Sequence, residues 1–288
     1  MRPFVRADSR CAEQVVLGSP ENRGFLFFMK YGRLLLVLTS LLLALLAWQL
    51  LVALGNFPGF ILPAPQQVAL RFIQAVRDGS LLRHSAVTLL EVLSGLCLGL
   101  GVATGLGYLL ARSLPLERLL SPYIVASQAV PIVAIAPLLV IWFGPGMFSK
   151  VLICALIVFF PVLINTVVGV RSVPADLRDL LRSLRATRWQ TLRLLEAPAA
   201  LPIFLGGLRV GATLAVIGAV VGEFVGAKNG LGFLINVGRG LYDTALVFVA
   251  VFTLVAMALM LYGLVAWLES HLLAWQRQPE SNHKESSL

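Results

Sequence analysis

Charge is the scarce ingredient of this sequence. Asp, Glu, Lys and Arg together make up 13% of its 288 residues, about half of the roughly 25% usual in soluble domains. With 58% hydrophobic residues and a mean hydropathy of +0.88, most of the chain calls for lipid rather than water as its solvent. Cysteine is sparse as well. Cys11, Cys97 and Cys154 are odd in number and scattered, and the last two sit in apolar runs; they exclude a disulfide framework or metal-ligand spacing and read as small hydrophobes. His84, His271 and His283 are the whole histidine complement. They stand far apart, outside the apolar runs and without an H-E-x-x-H pattern, so a membrane-embedded metalloenzyme has no donor set. Nor is there a G-x-x-x-x-G-K-[ST] loop: GLGYLLARS carries no lysine after its glycines. ATP cannot be held by that route, and any pumping energy must come from a separate subunit. The net charge of +9 is spread by loop rather than gathered on a soluble domain, and no nucleic-acid-binding motif accompanies it. Apolar–polar alternation is absent too, which excludes a transmembrane β-barrel.

What the sequence does contain is six long apolar runs. A hydrocarbon core of about 30 Å takes roughly 20 helical residues to cross, and the stretches 34–54, 87–111, 121–143, 149–170, 203–225 and 245–268 qualify. The fold class is therefore all-α and membrane-spanning. Residues 1–33, polar and basic without clear periodicity, read as a tail. No small-residue cleavage site follows the first span, which reads as a retained anchor. Residues 55–86 form an intervening segment with a short amphipathic helix, its face marked by Val68, Phe72 and Val76, resting on the bilayer surface or on the bundle. Residues 87–270 hold the core, with a connecting loop at 172–202, and 271–288 form a second tail.

Lys and Arg set the orientation. With the N-terminus inside, sixteen fall in inner segments and six in outer ones, while Arg209 lies within a span. This bias places both termini and the 172–202 loop on the cytoplasmic side.

Three features stand out within the spans. The second carries Gly95, Gly99, Gly101 and Gly105, four-residue spacings that let neighbouring backbones approach. Pro122, Pro131 and Pro137 in the third, and Pro161 in the fourth, bend their helices. Glu91, Arg209 and Glu223 interrupt apolar runs, where a charge costs at least about 2.5–3.5 kcal/mol near a helix centre. Arg209, near the inner end, is placed to extend towards lipid phosphates. Glu91 and Glu223, both near outer ends, either line an outer vestibule together or cap their helices.

The loop from Asp176 to Pro202, DLRDLLRSLRATRWQTLRLLEAPAALP, is the most informative segment. Leu177, Leu180, Leu181 and Leu184 recur along one helix face, Arg178, Arg182, Arg185, Arg188 and Arg193 surround them, and Pro198 and Pro202 are expected to close the segment before the next span. It resembles the coupling loop of permease subunits of binding-protein-dependent ABC importers. Asp179-Leu180-Leu181 stands where that family has Glu-Ala-Ala, Arg185 stands where it has Gly, and Pro198-Ala199-Ala200-Leu201-Pro202 matches its closing run. Arg185 is a departure at a turn between two short helices. Leu62-Pro63-Ala64-Pro65 and the Glu223-x-x-Gly226-Ala227-x-x-Gly230-Leu231-Gly232 run resemble the nitrate, sulfonate, taurine and vitamin-precursor branch.

The resemblance implies the six-helix transmembrane domain of a type I importer with a cytoplasmic coupling helix. It implies a homodimer served by a cytoplasmic ATP-binding subunit and an extracytoplasmic solute-binding protein, with no cofactor and no catalysis by this chain. Asp179, Leu180, Leu181, Leu184, Arg185, Trp189, Pro198 and Pro202 are then the residues that engage the ATPase. Residues 180–269 are most similar to permeases for riboflavin, then for the thiamine pyrimidine precursor, then for a sulfonate or nitrate. A self-sufficient secondary carrier is the reading from another class; it lacks the internal repeat and mid-bilayer acid pair such carriers tend to show.

Reporter fusions test the orientation. Fusions at Ser80, Arg112, Lys150, Arg185 and Asn229 are expected to report outside, inside, outside, inside, outside. An outside signal at Arg185 contradicts the coupling-loop reading.

Overall fold

The computed structural model describes residues 20–55 and 58–274, with side chains from residue 35 onward. Cys11, His283 and the C-terminal basic residues Arg277 and Lys284 lie outside the described residues. All regular structure among them is helical. Residues up to 67 and those from 68 onward form two compact units.

The first unit holds α1, Pro20–Gly55, of which Leu35–Gly55 is long and apolar enough to cross a membrane. Helix thus extends into residues 20–33, where no periodicity announces it; once nucleated in the apolar run, a helix gains one hydrogen bond for each residue added. A turn with Ile61 N bonded to Pro58 O at 2.8 Å follows.

The second unit takes in most of α2, Pro65–Arg77. Val68 and Ala75 are its buried residues. Phe72 and Val76, expected to share the packed face with Val68, are exposed, so the apolar stripe turns only partly towards the bundle. Arg71 Nε reaches Asp243 at 2.7 Å and pins the helix down. A left-handed Gly79 (φ 73) and the Asp78 carboxylate, accepting from Ser80 N at 2.9 Å and Ser80 Oγ at 2.6 Å, start α3, Ser80–Arg112. Those two hydrogen bonds hold the Asp78 carboxyl below its ordinary range.

The expected third span is not one straight helix. It is a pair, α4 (Leu114–Gln128) and α5 (Ile132–Phe143), bent by 95° at the break. Pro131 lacks an N–H and keeps the preceding residue out of helical geometry. The backbone closes α4 instead with two short-range bonds, Ala129 N to Ala126 O and Val130 N to Ser127 O. Then follow α6 (Met147–Arg171), the loop helices α7 (Ala175–Ser183) and α8 (Arg188–Thr191), a π turn at Leu192–Glu196, α9 (Ala197–Gly226), α10 (Leu231–Gly240) and α11 (Thr244–Leu272).

Helix α6 runs through the centre, held between α3 and α9, and glycines set both distances. A Cβ on Gly99 of α3 would lie 2.7 Å from Ala155 O, and one on Gly107 2.9 Å from Thr166 Cβ. From α9, a Cβ on Gly218 would lie 2.8 Å from Cys154 Cα, and one on Gly207 2.6 Å from Asn165 Cβ. Gly101 and Gly105 face open space, so only the Gly95/Gly99 pair of the two sequence pairs makes a packing face. Into the closed seams go Ile153, Cys154, Val158 and Val162, all fully buried. Helix α5 adds Ala136 and Leu139 against Ile153 on a third side.

This packing separates two neighbouring glycines by experiment. Gly99→Ala is expected to cost about 1–3 kcal/mol through forced backbone separation, and Gly101→Ala to stay within about 0.5 kcal/mol of the parent. Unfolding of the purified protein in detergent reads the difference.

Candidate functional site

Polar side chains gather at two places, one around the 172–202 loop and one at the far end of the same helices. The loop begins with Pro174, which caps α7. Helix α7 stops in a Schellman arrangement: Ala186 N bonds Leu181 O at 3.0 Å and Arg185 N bonds Arg182 O at 2.9 Å. That geometry puts Arg185 at φ 54, a left-handed conformation in which glycine carries no Cβ penalty. Arg185 thus takes up a conformation that suits glycine, the residue expected at this position from the sequence resemblance. A capping box opens α8, with Gln190 N on Thr187 Oγ1 at 3.3 Å and Thr187 N on Gln190 Oε1 at 2.7 Å. The T-x-x-Q spacing in the sequence is its signature.

The leucine ridge turns mostly outward. Leu180 is 56% exposed, Leu184 68% and Trp189 67%, with Leu177 also exposed and Leu181 half-buried. Asp179 falls on the opposite face of α7 from the ridge, and its carboxylate pairs with Arg182 at 3.0 Å on the exposed surface.

Pro198 and Pro202 do not close the loop, as the sequence reading expected. They lie inside a helix that continues from Arg188 to Gly226. The π turn relieves the first of them: Ala197 N reaches back five residues to Leu192 O, and the widened turn accommodates Pro198, which has no donor of its own, while Pro202 sits within the α-helix itself.

Glu196, the last residue of that turn, was singled out by no sequence argument. It is 3% exposed. Its Oε2 accepts from Arg112 Nη2 at 2.7 Å and Tyr108 OH at 3.3 Å. Arg171 joins α6 to Glu117 of α4 on the same side.

Arg209 also differs from expectation. Instead of extending to lipid phosphates it pairs with Glu269 of α11, donates to Tyr262 OH at 3.3 Å and lies 5.0 Å from that ring's centroid. A carboxylate sixty residues away leaves no local sequence signal for such a pair.

At the far end, Glu91 and Glu223 are each 1% exposed. Glu91 Oε1 accepts from Lys150 Nζ at 2.7 Å, and Lys150, near the start of α6, is itself 6% exposed. Glu223 Oε1 accepts from Thr88 Oγ1 at 2.6 Å, and Oε2 from Gly232 N at 2.5 Å. Thr88 Oγ1 in turn accepts from Leu231 N at 2.8 Å, and His84 Nδ1 from Gly230 N at 2.9 Å. Gly230 and Gly232 leave the carboxylate its room, since a Cβ on Gly232 would lie 2.8 Å from Glu223 Oε2 and one on Gly230 would land on the carboxyl itself. His84, Thr88 and Glu91 share one face of α3 at helical spacing, which is the signal that links them. Glu91 and Lys150 also border a cavity of about 260 Å³ with Lys228 and Asn229; Glu223 does not line it. Among the described residues, no group of three or more His, Cys, Asp or Glu is arranged to hold a metal.

A short loop helix with an exposed apolar ridge, set between two helices long and apolar enough to cross a membrane, marks a polytopic membrane protein. Residues 98–273 match the family described as binding-protein-dependent transport system inner membrane component. The chain is 52% identical over 237 residues, 82% of its own length and 88% of the relative's, to the riboflavin transport system permease protein RibX of Chloroflexus aurantiacus. It is 34% identical over 82% of its length, and 94% of the relative's, to the formylaminopyrimidine transport permease protein ThiX of Halalkalibacterium halodurans. Among solved structures, a chain of the inward-facing MetNI methionine ABC transporter superposes with a TM-score of 0.60 over 68% of this chain and 97% of that one, at 18% identity, a likeness of fold. The chain belongs to the family of permease subunits of binding-protein-dependent ABC importers, and its fold is the type I importer transmembrane domain.

The buried ion pair gives a prediction on stability. Lys150→Met leaves Glu91 buried without its cation and is expected to cost about 3–5 kcal/mol. Adding Glu91→Gln is expected to restore most of that loss, because the uncompensated charge is gone. Unfolding of both variants in detergent checks the order; a double variant less stable than Lys150→Met contradicts it.

Proposed function

We propose that this chain is the permease of an importer that brings riboflavin into the cytoplasm, using ATP hydrolysed on a separate subunit. The observation that carries the substrate is the 52% identity, over 82% of the chain, to a riboflavin transport permease. A groove of about 560 Å³ in the membrane-spanning region, bordered by Tyr123, Phe159 and Phe160, is consistent with a flat aromatic ring as cargo, since such rings stack edge or face against aromatic side chains. The relative that carries a formylaminopyrimidine supports the thiamine pyrimidine precursor as the second reading.

In this reading two copies of the chain enclose the path. Both termini and the loop face the cytoplasm, and the solute-binding protein docks at the end that carries Glu91, Lys150 and Lys228. Closure of the ATP-binding subunits moves α7, seated in a groove on one of them, and the helices behind it expose the path outward. The ridge supports this docking: an apolar side chain left in water forfeits about 1.5–3 kcal/mol relative to burial, and a partner groove covers Leu180, Leu184 and Trp189. The charges of Asp179, Arg182 and Arg185 around it set register.

Leu180→Asp combined with Leu184→Asp is expected to leave membrane insertion intact while the ATPase no longer co-purifies and uptake stops. Normal co-purification and uptake would show the ridge to be a lipid-surface element. Cargo is read separately, from the ligand bound by the solute-binding protein encoded beside this chain; tight binding of formylaminopyrimidine and none of riboflavin reverses the order of the two readings.

A further inference from the structure

Docking explains the exposed side of the loop but leaves its buried acid, Glu196, without a task. Three elements meet on that carboxylate. Arg112 and Tyr108 of α3 hold Oε2, and the Arg112 guanidinium stacks 5.2 Å over the Tyr108 ring. Helix α9 starts at the next residue. The third element is α7, through Arg178, whose Nη2 donates to Val170 O at the end of α6. Arg178 Nε points the other way, 3.9 Å from Glu196 Oε1. That nitrogen is shielded from solvent and has no hydrogen bond. A charged N–H···O bond closes at about 2.7–2.9 Å, so a shift of about 1 Å would complete it.

The far ends of the same two helices are fastened as well. Glu223 of α9 is bonded to Thr88 of α3 at 2.6 Å, about 40 Å along α9 from Glu196 at 1.5 Å per residue. Both fastenings set an acid of the continuous Arg188–Gly226 helix on donors of α3, and both acids are buried.

We propose that Glu196 is the positioning residue of energy coupling, a clamp already closed on α3 and still open towards α7. When the ATPase drives the loop against the bundle, Arg178 closes on Glu196, and α7, α3 and α9 move as one body to the far end. This rests on the importer reading, which supplies the driving subunit.

The test uses the complete importer, this chain with its ATPase and solute-binding protein, in proteoliposomes. Glu196→Gln keeps the shape and removes the charge. The ATPase is expected to stay bound and to hydrolyse ATP, while uptake per ATP falls about tenfold, inside the usual range for coupling between distant sites. Glu196→Asp, with its charge retained, is expected to recover a large part of that ratio. Should Glu196→Gln fail to assemble, Arg178→Lys leaves the Arg112 pair in place and carries the same expectation. An unchanged ratio overturns the proposal. So does a parallel fall of hydrolysis and uptake, which marks a residue needed only for assembly. Failure of the importer reading looks different, since the unaltered chain would then show no ATP-dependent uptake at all.

Discussion

The close approach of α6 to α3 and α9 is the constraint on which the rest of the molecule depends. In lipid, helices gain little from burying apolar area against one another, so association rests on van der Waals contact and on polar bonds that lipid cannot offer. Gly99 and Gly107 on one side, and Gly207 and Gly218 on the other, let backbone meet backbone or short side chain, with no space for a further methyl group. The contacts thereby become dense enough to hold without a hydrophobic drive. They also exclude water from the seams, and this sets the terms for every charge placed there.

Charges survive in those seams because each has a partner. Glu91 has Lys150, Glu223 has Thr88 and the amide of Gly232, and Glu196 has Arg112 and Tyr108. None of these pairs is strong evidence of net stability, since desolvation offsets much of the attraction. Their consequence is geometric. Each fixes which helix faces which, and two of the three tie the Arg188–Gly226 helix to α3. That single helix then connects the exposed loop to the opposite end of the bundle. That continuity is what a separate ATPase needs if work done at the loop is to be felt across the membrane.

The apolar spans, the all-helical class and the amphipathic loop helix were legible from the sequence, because length and periodicity are local properties. Burial of Glu91 and Glu223 was half legible: their cost in lipid marked them, but whether they line a vestibule or lock a seam depends on Lys150 and Thr88, which no spacing ties to both. The 95° break at 129–131 was hidden because Pro122, Pro131 and Pro137 all look alike in sequence, and only Pro131 ends a helix. Pro198 and Pro202 misled in the opposite sense: a π turn directly before Pro198 lets the helix run on, and Pro202 is carried within it. Arg209 and Glu196 depend on partners many residues away, Glu269 and Arg112. Arg185 is the instructive case: it stands where a glycine was expected and adopts a left-handed conformation with φ 54, which is costly for arginine but not forbidden.

The central claim is that this chain converts the work of a separate ATPase into passage of a solute, with no motive power of its own. Uptake of labelled riboflavin into proteoliposomes holding the purified chain tests it, with ATPase, solute-binding protein and ATP each omitted in turn. The account predicts uptake only when all three are present, and none with an imposed proton or sodium gradient in their place. Gradient-driven uptake by the chain alone would contradict it and would make the protein a self-sufficient carrier.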